Sequence, residues 1–175
     1  MSRFTPEFYE DDDGREPVLD WLRGLAPHKR RAATAAIENI LAEQGPGICG
    51  SSWGKWVQGV AGSIFELRIR WDYGTIMRNA GLTIPGELAE EAEESHDDVL
   101  LRVFCHAYGD RIVMLLAAYD KGEEPSDRRQ NKEAQLADRR LKQWKQRENA
   151  KAKAAKRKSS NESTRKGKNL RKKRS

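Results

Sequence analysis

The sequence predicts an α+β domain: an N-terminal strand and a helical hairpin packed on a small antiparallel sheet, followed by a C-terminal helix. Three observations predict it. Residues 63–71 and 99–108 alternate between apolar and polar side chains, the period of a strand. Residues 111–119 are almost wholly apolar, as in a central strand covered on at least one face. Upstream, two stretches around 17–25 and 28–44 carry apolar residues at helical spacing.

Taken in order, residues 3–9 hold Phe4, Phe8 and Tyr9 and form a short first strand in which Pro6 suits an edge position. Pro17 starts a helix with Val18, Trp21, Leu22 and Leu25 on one stripe. A second helix over 28–44 turns Ala33, Ala36, Ile37, Ile40 and Leu41 inward and ends at Gly45-Pro46-Gly47. Residues 55–60 are a weak strand candidate. In 63–71, Leu67 and Ile69 point one way while Glu66, Arg68 and Arg70 point the other. Gly109-Asp110 marks the turn between the last two strands. Residues 72–98 are too long for a hairpin connection and read as an exposed acidic insertion with a short helix around 88–94. Its end, 87–98, has seven carboxylates and no Lys or Arg. Pro125-Ser126-Asp127 opens a C-terminal helix through Trp144 and more loosely to Lys158. Residues 159–175 are of low complexity and read as disordered. The domain boundary falls near 145: residues 1–145 form the folded domain and 146–175 a basic tail expected to be disordered.

The net charge of +6 hides a division. Residues 145–175 contain 14 Lys or Arg and 2 Glu, a charge of +12, so the remaining residues carry −6. A basic tail of this kind points to a polyanionic partner. Two cysteines, Cys49 and Cys105, are too few for a disulfide framework. No basic start followed by an apolar run marks a signal peptide, so none is expected, and the longest apolar stretch is too short to cross a bilayer. The expected setting is the cytoplasm.

No nucleotide-binding glycine loop, HExxH or GxSxG motif is present, and the three histidines and two cysteines do not fall at zinc spacings. Cys105 reads as a core thiol and His106 as a partly exposed imidazole. What the strands do carry is cations. Arg68 and Arg70 share a face, Arg102 lies on the next strand, Lys121 follows the last strand, and Lys55 precedes the first of them. Adjacent like charges on a sheet are unfavourable unless an anion lies between them, and arginine binds phosphate through two parallel hydrogen bonds. The alternative is that Glu66 and other carboxylates neutralise this face, and composition alone favours that alternative. Trp53 and Trp56, beside a glycine-rich turn, read equally as core or as base-stacking side chains; Trp21 reads as core.

Phe8-Tyr9 before an acidic turn, then Pro17-Val18 and Asp20-Trp21-Leu22, is similar to the opening of phage-derived HigB-like toxins of the RelE/ParE superfamily. Phe65-Glu66-Leu67-Arg68-Ile69 resembles the central strand of that family. Arg102-Val103-Phe104, Ile112 to Leu116, Tyr119-Asp120-Lys121 and Pro125 resemble its last two strands and the lysine turn after them. The likeness covers roughly residues 4–145, interrupted by the acidic insertion; neither that insertion nor the basic tail belongs to the motif. It implies a RelE-like fold and a toxin of a type II toxin–antitoxin pair that cuts mRNA in the ribosomal A site without metal or cofactor. It also implies a cognate antitoxin from the same operon as a partner. By the same resemblance Arg68, Lys121 and Arg102 are the catalytic cations, with Tyr119 or a lysine as general base. Lys55 and Arg70 hold phosphates, and Lys151, Lys153, Lys156, Arg157 and Lys158 of the tail add RNA contacts. Two alternatives remain: a ParE-like toxin that binds DNA gyrase, or a non-catalytic nucleic-acid-binding protein of a phage or mobile element.

Overall fold

The computed structural model describes residues 3–86, 89 and 98–172. Five strands form one mixed sheet: β1 (Thr5–Phe8), β2 (Gly54–Trp56), β3 (Phe65–Trp71), β4 (Val99–Tyr108) and β5 (Ile112–Asp120), in spatial order β1-β5-β4-β3-β2. Strands β2 to β5 are antiparallel neighbours, as the sequence suggests. β1 departs from that pattern and lies parallel to β5, with Pro6 opposite Val113 at the sheet edge. Two helices and their loops separate β1 from the rest of the sheet, so nothing forces the reversal that a tight hairpin would impose. The expected strand over 55–60 is shorter, ending at Trp56.

Helices α1 (Pro17–Gly24) and α2 (Pro27–Ala35) each begin on proline, whose missing N–H costs nothing in the first turn. After α2 the chain continues through a π-helical segment, Ala36–Leu41, and a last α turn, Ala42–Gln44. Together these elements cover one face of the sheet. Their Val18, Leu22, Ala33, Ile37, Ile40 and Leu41 share a core with Leu67, Ile69, Leu101, Val103, Val113 and Leu115. Gly45 ends the helical run with φ +53°, a backbone region that favours glycine, beside the Phe4 ring.

The stretch after β3 is not wholly an exposed arm. Residues Tyr73–Asn79 form helix α3, which buries Tyr73, Ile76 and Met77 against the same core. Asp72 caps it: Oδ1 accepts from the Thr75 amide at 2.9 Å and Oδ2 from the Thr75 hydroxyl at 2.6 Å. The Asp-x-x-Thr spacing and the apolar 73/76/77 stripe were the signal, outweighed by the acidity that follows. The helix expected around 88–94 lies outside the described residues.

The hydrogen bonds from Thr75 hold the Asp72 carboxyl below its ordinary value of 3.8. A depressed carboxylate contributes stability that is complete above its unfolded-state pKa and is lost as pH falls through the folded one. Replacing Asp72 with alanine is therefore expected to cost about 1 kcal/mol at neutral pH. In urea unfolding, the gap between variant and parent should close in acid; a gap that persists there would assign the effect to packing instead.

The last helix, α4, runs from Asp127–Lys172 without a break. Residues 159–172, read from the sequence as disordered, continue this helix. Residues 141–158 are almost all Ala, Leu, Lys, Arg, Gln and Glu, the strongest helix formers, and no proline follows Pro125. Basic residues toward the helix C-terminus also complement its dipole. The chain divides into two compact units, Met1–Arg140 and Leu141–Ser175. The described residues of the second unit belong to this helix, tied locally by contacts such as Lys151 with Glu148 at 3.2 Å and Ser159 Oγ donating to the Lys156 carbonyl.

Candidate functional site

The face of the sheet turned away from α1 and α2 is ordered in three cross-strand rows. In the first, Lys55 on β2 stands opposite Glu66 on β3, which stands opposite Phe104 on β4. In the second, Arg68 faces Arg102, and Arg102 faces Tyr119 on β5. In the third, Arg70 faces Leu100, whose carbonyl accepts the Lys121 amide at 2.8 Å. A shift of register between Phe104 and Cys105 lets β5 keep this row order while Leu115 and Val113 stay in the core. The strands thus bring Lys55, Arg68, Arg70, Arg102, Tyr119 and Lys121 to one face.

That face is not bare. The first turns of α4 lie over it: Gln130 Nε2 donates to Glu66 Oε2 at 3.2 Å, Arg129 sits 5.5 Å over the Tyr119 ring, and Ala134 and Ala137 are buried. Arg102 is 3% exposed and Tyr119 1%. Arg102 Nη1 donates to the carbonyls of Leu101 at 2.9 Å and Ile69 at 3.3 Å. Arg68 keeps a quarter of its side chain in solvent, with Nε 3.3 Å from Glu66 Oε1. Lys121 Nζ reaches Gln130 Oε1 at 3.5 Å, and exposed Arg70 lies 5.7 Å over the Trp71 ring. Lys55 is exposed and makes no ion pair among the described residues.

Two like charges in register, Arg68 and Arg102, would repel strongly without a counter-charge. Glu66, 2% exposed, supplies it. Its effect is felt at Arg102: burial lowers the guanidinium pKa, Glu66 raises it, and Arg68 lowers it again. Asp120 cannot share this role, because its carboxylate turns to the other face and pairs with Lys29 of α2 at 2.5 Å. Glu133 and Glu124 are taken by Arg129, at 2.9 Å and at 2.5 Å.

Burial raises the Tyr119 phenol above its ordinary pKa, so Tyr119 stays protonated at neutral pH and can donate but not accept a proton. It does not suit the role of general base. Its ring stacks on Phe104 at 6.4 Å, and its hydroxyl has no hydrogen-bond partner among the described residues. The buried atoms Glu66 Oε1, Arg68 Nε and Arg102 Nε likewise lack one, although Glu66 and Arg68 meet as an ion pair. Arg102 Nε and the Tyr119 hydroxyl are thus the two that neither a hydrogen bond nor an ion pair reaches among the described residues, and each such buried polar atom costs about 1–3 kcal/mol. Glu66 is the neutralising carboxylate that the alternating strand already offers, whereas Gln130 joins the site only because of where α4 packs.

His106 is buried, not partly exposed, and its Nδ1 lies 2.8 Å from the Ser63 carbonyl. Cys49 and Cys105 are unpaired, and Cys105 is a core thiol. Trp53 packs on Trp71 with ring centres 4.2 Å apart, and Trp21 packs against the core. Trp56 is 45% exposed. In the second unit Lys151, Lys153, Lys156, Arg157 and Lys158 are all exposed, spread around the helix. Among the described residues no cluster of His, Cys, Asp and Glu could hold a metal ion, and no helix is long and apolar enough to cross a membrane. No protein-family model matches this chain, and a search of the curated proteins finds no match.

Proposed function

We propose that this chain is a toxin of the RelE/HigB type, an endoribonuclease that cuts mRNA on the ribosome in the cytoplasm and is neutralised by a cognate antitoxin. The observation that carries the proposal is the row Arg68–Arg102–Tyr119, in which guanidinium groups from two adjacent strands meet a phenol on a third. Cationic donors fixed in a water-poor place are what a charged phosphorane-like transition state needs. In this scheme the RNA 2′-oxygen bonds to the adjacent phosphorus and the bond from phosphorus to the 5′-oxygen breaks. The products are a 2′,3′-cyclic phosphate and a 5′-hydroxyl.

Arg68, the partly exposed member, contacts the phosphate. Arg102 acts from beneath it, fixed by two carbonyls, and Arg70 and Lys121 hold neighbouring phosphates. Glu66 is the carboxylate in these rows and accepts the 2′-hydroxyl proton in this scheme, since burial holds the Tyr119 phenol protonated. Water protonates the leaving oxygen.

Primer extension on mRNA from cells briefly expressing the chain tests this. Cuts at fixed positions within codons are expected. DNA breaks that depend on gyrase, with intact mRNA, would replace the nuclease with a ParE-like binder. One observation favours a second reading, a non-cleaving RNA binder: Arg102 spends its Nη1 on backbone carbonyls, while freely accessible charge is abundant on the helix after Leu141. Intact mRNA that co-purifies with the chain would select it.

The basic helix adds phosphate-binding cations whose action does not depend on sequence. Removing residues 151–175 is expected to flatten the salt dependence of ribosome binding by about 0.7 to 0.9 in log–log slope for each phosphate that the helix neutralises. An unchanged slope in a ribosome sedimentation assay would show that the helix neutralises none.

A further inference from the structure

Between α2 and α3, on the side of the sheet that α1 and α2 cover, lies a groove of about 500 Å³. It shares no residue with the rows that carry Glu66, Arg68 and Arg102. Ala35 on α2, Tyr73 and Met77 on α3, and Leu82 and Pro85 just after α3 make its apolar lining. The volume falls within the roughly 300–1,000 Å³ of small-molecule sites. A protein partner fits poorly, because stable interfaces bury about 800 Å² on each side. Among the described residues the exposed large hydrophobics are Trp56 and Leu82, and of these Leu82 alone borders the groove.

The charged groups of the groove are few and sorted by sign. Arg30 and Arg31 stand at one end of its α2 wall, and Glu38 stands about two turns further on. All three are exposed. Arg30 Nη1 donates to the Arg23 carbonyl at 3.1 Å, while Arg31 and Glu38 make no ion pair among the described residues. A guanidinium takes a carboxylate through two parallel hydrogen bonds and lies flat on aromatic faces. Glu38 repels a second carboxylate, so a ligand with a single acid group fits, and it points that group at the arginines. Thioethers adapt to irregular shapes and favour aromatic neighbours, so Met77 and the Tyr73 ring suit a flat aromatic body. The wall itself is unusual. At Ala36 the helix becomes π-helical, and Asn39 Nδ2 donates back to the Ala35 carbonyl at 3.1 Å. Such turns are rare and are found frequently at functional sites.

We propose that this groove binds a small aromatic monocarboxylate, with its ring system against Tyr73, Met77 and Leu82 and its acid group on Arg31 and Arg30. The inference goes beyond the reading of the chain as RNA-acting and does not depend on it.

Isothermal titration of the full-length chain with 2-naphthoate, and with its neutral analogue 2-naphthylmethanol, tests this. The acid is expected to fill one site per chain with a Kd of about 1 mM or tighter, the affinity usual for a ligand with this number of heavy atoms. The alcohol should bind about ten-fold more weakly, the loss of one charge-assisted contact. Arg31→Ala should remove most of that difference and leave the alcohol as it was, and Arg31→Lys should keep part of it. Thr34→Trp, which fills the groove from the α2 wall, should abolish binding of both. Arg31 is exposed, so its alanine variant stays informative even if Thr34→Trp fails to fold. A basic helix that merely gathers anions would bind the acid equally in all of these variants. That result would overturn the proposal, as would equal binding of acid and alcohol by the parent chain or no saturable binding of the acid. Cleavage of mRNA tests the nuclease reading separately. A chain that binds the acid and cuts no mRNA loses the nuclease alone, and one that cuts mRNA and ignores the acid loses the groove alone.

Discussion

Replacing Arg68 with alanine is expected to slow mRNA cleavage by about two to three orders of magnitude, the usual cost of one preorganised donor to a developing negative charge. Arg68 is singled out by its surroundings. Arg102 is buried and hydrogen-bonded to Ile69 and Leu101, so its loss would disturb the sheet as well as the chemistry. Arg68 stands in the same row but retains solvent access and a single ion pair. Arg68→Lys should recover only part of the rate, because an ammonium keeps the charge and loses the planar fork. Single-turnover cleavage on programmed ribosomes measures the chemical step, and urea unfolding of the same preparations separates it from folding. A rate within about three-fold of the parent, in a folded variant, would remove Arg68 from the mechanism.

The second large effect concerns stability. Glu66→Ala is expected to cost about 3–5 kcal/mol, the range for removing one partner of a buried ion pair. The mutation leaves Arg68 and Arg102 opposite one another with the carboxylate gone, and it strips Gln130 of its acceptor. Glu66→Gln should cost less, since an amide can still meet Gln130. The double variant Glu66→Ala with Arg68→Ala should be more stable than the sum of the single changes implies, because removing Arg68 relieves the exposed repulsion. Denaturant midpoints of the four proteins measure this coupling, and strict additivity would mean that the row is not electrostatically linked.

Much of this arrangement can be read directly from residue order. In β3 and β4 the period of two assigns Arg68, Arg70 and Arg102 to one face, and antiparallel pairing of sequential strands follows from the Gly109-Asp110 turn. Lys121 belongs with them because it is two residues past Tyr119. What parity cannot reveal is what lies above a face. The covering by α4 depends on a modest stripe, Glu133, Ala134, Ala137 and Asp138, in a stretch dominated by charge. Buried carboxylates there do not resemble an apolar stripe, so periodicity does not detect them. The parallel partner of β1 was hidden for a related reason: strand direction depends on a path through two helices, and no residue of Thr5–Phe8 encodes it. In α3 the signal was present but local, a cap and three apolar residues placed just before an acidic run.

The sheet has two open borders, and both are brief. β1 spans four residues and contains a proline, and β2 spans three. On these two outer strands a stray strand from another copy would find few amides to template onto, and at Pro6 one is missing altogether. Outer strands this short disfavour growth of the sheet from molecule to molecule.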